Sequence, residues 1–421
     1  MRSDGDPFGP SQEGPSGSPS SPGGPGDSGD PAGLAAERIR ARIAAQGRIS
    51  VADFMAEALY GPGGFYRRAR DPIGPRGHFY TSARLHPAFA ALLAVQIAQV
   101  WDTWARPGRF DVCEVGGGRG TLATDLGYAL HDFSPALATA VHYVVVDWAG
   151  PSQGEGHPPA RDDAFGPRRT FARLDATAGV PRHFGGVVLA NELLDALPTH
   201  RIQKRGGQLH ELCVVVENDR FVERPFPIED RRLAAFVAPW QEAMPEGTVA
   251  EAQLQLFDWI EDLGRAVERG IAILIDYADE REALWKRRNG SLRGYRHHRI
   301  ESDPFADPGE LDITYHVDLA TLRQAASRSG LEVLGEISQA AFLDNLGMAA
   351  IREAIAAAPL DPAARQANLA ALADLVSPTG LGAFRVVILG KGVEGFALVG
   401  RVGGGRPAAA PVLTHRHMSL W

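Results

Sequence analysis

A chain of 421 residues with 43 basic and 51 acidic side chains carries a net charge of −8, which argues against a general nucleic-acid surface. Its hydrophobic share of 44% is that of an ordinary globular protein, and no run of about 18 apolar residues offers a membrane span. The two cysteines, Cys113 and Cys213, lie in apolar strand-like runs and read as buried core thiols in a reducing compartment.

Residues 1–33 are dominated by Gly, Pro and Ser and cannot bury enough apolar surface to offset their ordering entropy. They lack the apolar core of a secretory signal. Arg2 against Asp4, Asp6, Glu13, Asp27 and Asp30 is the wrong balance for a transit peptide, so the expectation is a disordered tail on a cytoplasmic protein. Residues 34–105 read as a helical subdomain. LAAERIRARIAAQG is amphipathic with Gly47 as its stop, and ISVADFMAEALYG follows with Ser50 as N-cap. The Gly- and Pro-rich residues 61–85 read as loop, and PAFAALLAVQIAQVWDTWA as a long buried helix.

From 106 to 400, short apolar runs alternate with helical segments, the pattern of a parallel α/β sheet with helices on both faces. The strands expected are FDVCEV (110–115), VHYVVVD (141–147), TFARLD (170–175), GVVLAN (186–191), GIAILIDY (270–277), LEVLGEIS, FRVVILG and GFALVG. Two insertions interrupt them. One, about 200–265, begins with a period-two stretch around Gly206–Gly207; the other, 279–318, is polar, His-rich and poorly periodic. Residues 401–421 form a C-terminal tail.

The run DVCEVGGGRGTLATD places Glu114, Gly116, Gly118 and Gly120 at the end of the first strand, ahead of a helix starting near Thr121. Ligands of open parallel sheets bind beyond the carboxyl ends of the strands, near the switch in strand order. The dinucleotide fingerprint is Gly-x-Gly-x-x-Gly; here the third glycine comes one residue early and a carboxylate precedes the first. A carboxylate suits an ammonium or a hydroxyl better than a diphosphate. Asp147, closing the second strand, has the reach to chelate a ribose diol, and Asp175, closing the third, to accept from an adenine amine. The arrangement matches the S-adenosylmethionine site of class I methyltransferases. A tight strand–helix turn with no ligand is the competing reading of the glycines.

Further stretches carry a resemblance: GGFYRRARDPIGPRGHFYTS, VLANELLDALPTHR, LIDYA, GSLRGYRHHRIESDPFADPGELDITYHVD and SQAAFLDNLGM. From about Ile49 to Lys391 the chain resembles the MidA-like methyltransferases. The resemblance implies a class I methyltransferase core with an N-terminal helical part and a lid-like insertion. It also implies S-adenosylmethionine as donor and, for the family's mitochondrial branch, an arginine of a respiratory complex I subunit as acceptor. The chain departs from the family pattern at His78, at Asp147 with the WAGPSQGEGHPPA that follows, and at Ala278 after Asp276–Tyr277.

An arginine acceptor needs carboxylates that hold a guanidinium and take up the proton released with the methyl. Asn191, Glu192 and Asp195 end the fourth strand. A helix starting at Glu192 would put the two acids on one face, with Pro198 ending the turn; helix capping by Glu192 is the competing reading. Asp276 and Tyr277 end the fifth strand, where turn residues are equally expected. Arg293, Tyr295 and His298 read as shaping the substrate side of a lid, against the alternative of surface loop residues. Phe65, Tyr66 and residues 79–82 either close over the sulfonium or pack in the core. His297, His298, Asp312, His316 and Asp318 fit no compact zinc spacing, so no metal is expected. The partner implied is a protein substrate, and a homo-oligomer is compatible with the sequence. The rival readings are a nicotinamide-dependent oxidoreductase and a non-catalytic assembly factor keeping the fold.

Overall fold

A computed structural model describes residues 31–67, 81–147, 169–173, 179–296, 299–393 and 397–403. Helix α1 (Pro31–Gln46) leads into α2 (Val51–Met55), where Ser50 accepts from the Asp53 amide as the expected N-cap. The helix continues as one wider turn over Ala56–Tyr60. Helix α3 (Ala88–Thr103) is buried along most of its length, as its apolar sequence requires.

Seven strands build the central sheet: β1 (Phe110–Val115), β2 (Val141–Asp147), β3 (Arg169–Arg173), β4 (Phe184–Asn191), β5 (Val267–Asp276), β6 (Glu332–Ser338) and β7 (Arg385–Lys391). Their spatial order is β6-β7-β5-β4-β1-β2-β3. All neighbours pair in parallel except β7, which runs antiparallel to both β5 and β6. The chain winds outward through β1, β2 and β3, then returns to the other side of β1 as β4. That reversal opens a crevice between the carboxyl ends of β1 and β4.

Period-two alternation feeds two cores. Val187, Leu189, Ile271, Ile273 and Ile275 face α3 and the helix α4 (Thr121–Phe133). Val188, Ala190, Ala272 and Leu274 face α5 (Leu254–Ala266) and α6 (Leu319–Arg328). Cys113 and Cys213 are buried free thiols, as expected.

The first insertion is an antiparallel sheet. His200–Arg205 and Gln208–Glu217 form a hairpin across Gly206 and Gly207, both left-handed at φ +60° and +73°. Val249–Ala252 and Arg220–Pro227 extend it, and Ile49–Ser50 pairs with Val214 and Cys213, stitching the N-terminal helices onto it. The second insertion, expected to be aperiodic, holds three short strands: Arg293–Arg296 pairs with Arg299–Glu301 and with Asp312–Thr314, putting Tyr295 opposite Asp312. Strands of three or four residues are too short to show a period. Phe54, Leu59 and Phe65 pack with Val214, Phe221, Leu292, Phe305 and Ile313, so both insertions and the N-terminal helices share a third core.

The end of one expected strand is helical. Of GFALVG, Gly395 and Phe396 lie outside the described residues, and Val399 and Gly400 open the short helix Val399–Val402, where Gln96 accepts from the Gly400 amide at 2.9 Å and Asn345 donates to the Gly400 carbonyl. Those side chains take the backbone groups a strand neighbour would have used. Among the described residues no helix is long and apolar enough to cross a membrane.

Gly186 and Gly270 face each other where β1, β4 and β5 begin. A Cβ at Gly186 would lie 1.8 Å from the Asp111 carbonyl oxygen, so the strands approach too closely for any side chain. Gly186→Ala is expected to lower unfolding free energy by at least about 2 kcal/mol, read from urea denaturation. An unchanged midpoint would contradict this packing.

Candidate active site

The crevice is floored by the loop after β1. Gly116, Gly118 and Gly120 are left-handed, at φ +76°, +53° and +74°, and Gly120 caps α4. A Cβ at Gly116 would meet Leu193 Cδ1 at 2.9 Å, and one at Gly117 would meet Val145 Cγ1 at 2.6 Å. A Cβ at Gly118 would meet nothing within 4 Å, so this glycine faces open space. The Gly118 amide donates to Asp147 Oδ2 at 2.9 Å, which brings the acid closing β2 against the loop. Glu114 turns beneath the loop, where Tyr143 donates to its Oε2 at 2.9 Å and the Ala123 amide also hydrogen-bonds it. Burial pushes the Glu114 carboxyl up to about 8. Asp175 lies outside the described residues, as do His78, His297 and His298.

On the facing side, β4 ends at Asn191, and no helix starts at Glu192. Glu192 is left-handed at φ +53°, with its amide donating to the Ile275 carbonyl. Its carboxylate accepts from the Ser82 amide at 2.8 Å and from Asn191 Nδ2 at 2.9 Å. Glu192 therefore heads no helix after β4 and shares no helical face with Asp195; its carboxylate instead meets the first amide of the short helix Ser82–Leu85. A single 3₁₀ turn, Leu194–Ala196, carries Asp195, which is 5% exposed. Asp276 holds that turn: its Oδ2 accepts from the Leu194 amide at 2.8 Å and the Asp195 amide at 3.1 Å, and its Oδ1 from Tyr277 N.

Sequence reasoning did not single out Asp312 and Tyr60 for this site. Asp312, 3% exposed, accepts from the Tyr66 hydroxyl at 2.6 Å. Tyr66 stacks on Tyr60 with ring centroids 5.5 Å apart, and the Tyr60 hydroxyl donates to the Ala196 carbonyl at 2.8 Å. Asp312 stood in the quoted stretch PGELDITYHVD, so a signal existed, but its partner is far away in the chain. Burial raises the carboxyls of Glu192 to about 8 and of Asp276 and Asp312 to about 7. Asp195 is raised well above the carboxylate range by burial and then by the charges of Asp276, Asp312 and Glu192. Tyr277 packs on Phe384 at 4.0 Å, and Tyr295 lies within electrostatic reach of Asp195 and Asp312. Arg293 lines a groove of about 750 Å³ with Arg201, Phe221 and Phe305, and donates to the Leu292 carbonyl.

A seven-stranded sheet with its last strand reversed, a glycine loop after β1 and an acid closing β2 define a class I methyltransferase. The family model described as "Putative S-adenosyl-L-methionine-dependent methyltransferase" matches residues 92–337. A COG1565 superfamily protein from Burkholderia thailandensis bound to S-adenosyl-homocysteine is 30% identical, with a TM-score of 0.74 over 89% of this chain and 96% of its own. The mitochondrial protein arginine methyltransferase NDUFAF7 homolog of Drosophila melanogaster is 29% identical over 75% of each chain. Human NDUFAF7, named likewise, is 26% identical over 81% of this chain and 79% of its own. The chain belongs to the MidA-like family of S-adenosylmethionine-dependent methyltransferases. Its methyl donor is S-adenosylmethionine, which sets aside the nicotinamide and non-catalytic alternatives. The cytoplasmic placement is also corrected, because the curated relatives are mitochondrial proteins.

Gly118→Val would put a branched side chain into the open space over the loop, on a left-handed residue costing roughly 1–2 kcal/mol. Titration calorimetry is expected to show at least a roughly 100-fold weaker affinity for S-adenosylmethionine, about 2.7 kcal/mol. Unchanged affinity in the folded variant would refute the loop assignment.

Proposed function

We propose that this enzyme transfers the methyl group of S-adenosylmethionine to a guanidinium nitrogen of an arginine in a protein substrate. The observation that carries the reading is the acid cluster. Glu192, Asp195, Asp276 and Asp312 converge around the tyrosines, and among the described residues no Lys or Arg forms an ion pair with any of them. Buried carboxyls without a counter-charge are costly, and a planar cation with several N–H groups answers that cost. The arginine methyltransferase names of the relatives point the same way. A respiratory complex I subunit as acceptor is carried by the family resemblance.

In this reading Glu114, Gly116, Gly118, Gly120, Asp147 and Asp175 hold the donor, which supplies an electrophilic methyl on a sulfonium. Asn191, Glu192 and Asp195 hold the acceptor, with Tyr277, Arg293 and Tyr295 bordering its path; His298 is assigned to the substrate side from the sequence alone. Residues 106–400 form the catalytic domain, with residues 34–105 and the two insertions covering its acceptor side. Methyl transfer is an in-line displacement, so the residues act mainly by fixing the nucleophile, an effect reaching roughly 7–11 kcal/mol in well-oriented systems. Burial and the neighbouring acids keep Asp195 protonated in the empty site, and an arriving guanidinium favours its carboxylate, the proton passing to water.

Asp195→Asn is expected to keep S-adenosyl-homocysteine affinity within about threefold and to lose methyl transfer by roughly 100-fold or more. The assay is tritium transfer from labelled donor into host lysate, with the labelled residue identified. Wild-type turnover in the variant would remove Asp195 from the acceptor site, and label on another residue type would overturn the arginine reading.

A further inference from the structure

The clamp described so far draws its carboxylates from one strand end, yet the best-placed acid comes from the second insertion. Asp276 has its oxygens occupied by three backbone amides, and Glu192 Oε1 is occupied by Ser82 N and Asn191. Asp312 accepts one hydrogen bond among the described residues, at Oδ1 from Tyr66, which leaves Oδ2 for a ligand. Among the described residues, two polar atoms near Asp195 are buried without a hydrogen-bond partner: Asn191 Oδ1 and the hydroxyl of Tyr315. Tyr315 is 1% exposed, its amide donates to the Asp195 carbonyl, and its ring lies within electrostatic reach of Asp195, Asp276 and Tyr60. A buried cluster holding unmatched acceptors and an unmatched hydroxyl lacks one ligand with several donors.

Asp195 and Asp312 differ in their surroundings. Around Asp195 the nearby acids Asp276, Asp312 and Glu192 all oppose a negative charge. Asp312 feels Asp195 and Glu192 in return, and burial raises its carboxyl to about 7, but the Tyr66 hydroxyl stabilises its anion. A base that ionises near neutral pH and touches the reacting group is what proton removal requires.

We infer that Asp312 is the second jaw of the guanidinium clamp and the catalytic residue that receives the proton released on methyl transfer. This rests on the arginine reading. As the guanidinium nitrogen forms its bond to the methyl carbon, the carbon–sulfur pair departs with sulfur, and the N–H proton passes to Asp312 Oδ2. The products are methylarginine, neutral S-adenosyl-homocysteine and protonated Asp312, which then returns its proton to water. Tyr66 is a positioning residue. It fixes Oδ1, and its stacking partner Tyr60 is tied to the Ala196 carbonyl next to Asp195.

The test uses the full chain, tritiated S-adenosylmethionine and host lysate, with the labelled residue identified. Asp312→Asn is expected to cut transfer to arginine by roughly 100-fold or more while S-adenosyl-homocysteine affinity, by calorimetry, stays within about threefold. Tyr66→Phe is expected to retain transfer and to move the acid limb of kcat to higher pH. Losing the hydroxyl raises the pH at which Asp312 ionises, while Glu192, Asp195, Tyr60 and Tyr295 around it are unchanged. Wild-type transfer in Asp312→Asn, a parallel loss of cofactor affinity, or an unmoved limb in Tyr66→Phe would each overturn the proposal while arginine remained the acceptor. Label on another residue type would overturn the arginine reading and this proposal together.

Discussion

The proposed acceptor side of the crevice depends on one carboxylate. Asp276, at the end of β5, accepts from the amides of Leu194, Asp195 and Tyr277 and so fixes the turn that follows β4. Three amide donors are what let a carboxyl persist at 3% exposure beside other acids. With that turn held, Asp195 lies beside the cluster, and Glu192 is set by its own amide bond to the Ile275 carbonyl. The proposed cofactor floor and acceptor wall thus grow from neighbouring strand ends, β1 and β2 for one and β4 and β5 for the other.

The N-terminal helices close this arrangement. The wider turn at Ala56–Tyr60 delivers Tyr60 to the Ala196 carbonyl, and the short turn after it delivers Tyr66 to Asp312. Because Phe54, Leu59 and Phe65 pack in the same core as Leu292, Phe305 and Ile313, the segments bearing Tyr66 and Asp312 are held together. Catalytic sheet, insertion and N-terminal segment therefore meet at the acids, where chemistry needs a dry, shaped chamber.

The sheet and its glycine loop were legible in the sequence, because short apolar runs between helical segments and a cluster of glycines at a strand end are local signals. FDVCEV and VHYVVVD became β1 and β2 at the residues read from them. The spacing of Glu192 and Asp195 was legible too, but not its geometry, since a left-handed glutamate is decided by its bond to β5. GFALVG misled because Gln96 and Asn345, distant in sequence, satisfy its backbone. Tyr66 was read only as a lid or core aromatic, and Asp312 only as an unsuitable metal ligand. Their hydrogen bond spans 246 positions, and no periodicity reports a contact of that range.

The central claim is that a turn free of side chains and the acid closing β2 seat the donor with its sulfur toward the buried carboxyls. A crystal of this chain soaked in S-adenosyl-homocysteine tests it most directly. The account predicts the ribose diol on Asp147, the methionine portion over Gly116–Gly118 and the sulfur facing Asp195 and Asp312. A ligand with its sugar elsewhere, or with sulfur directed away from those acids, would contradict it.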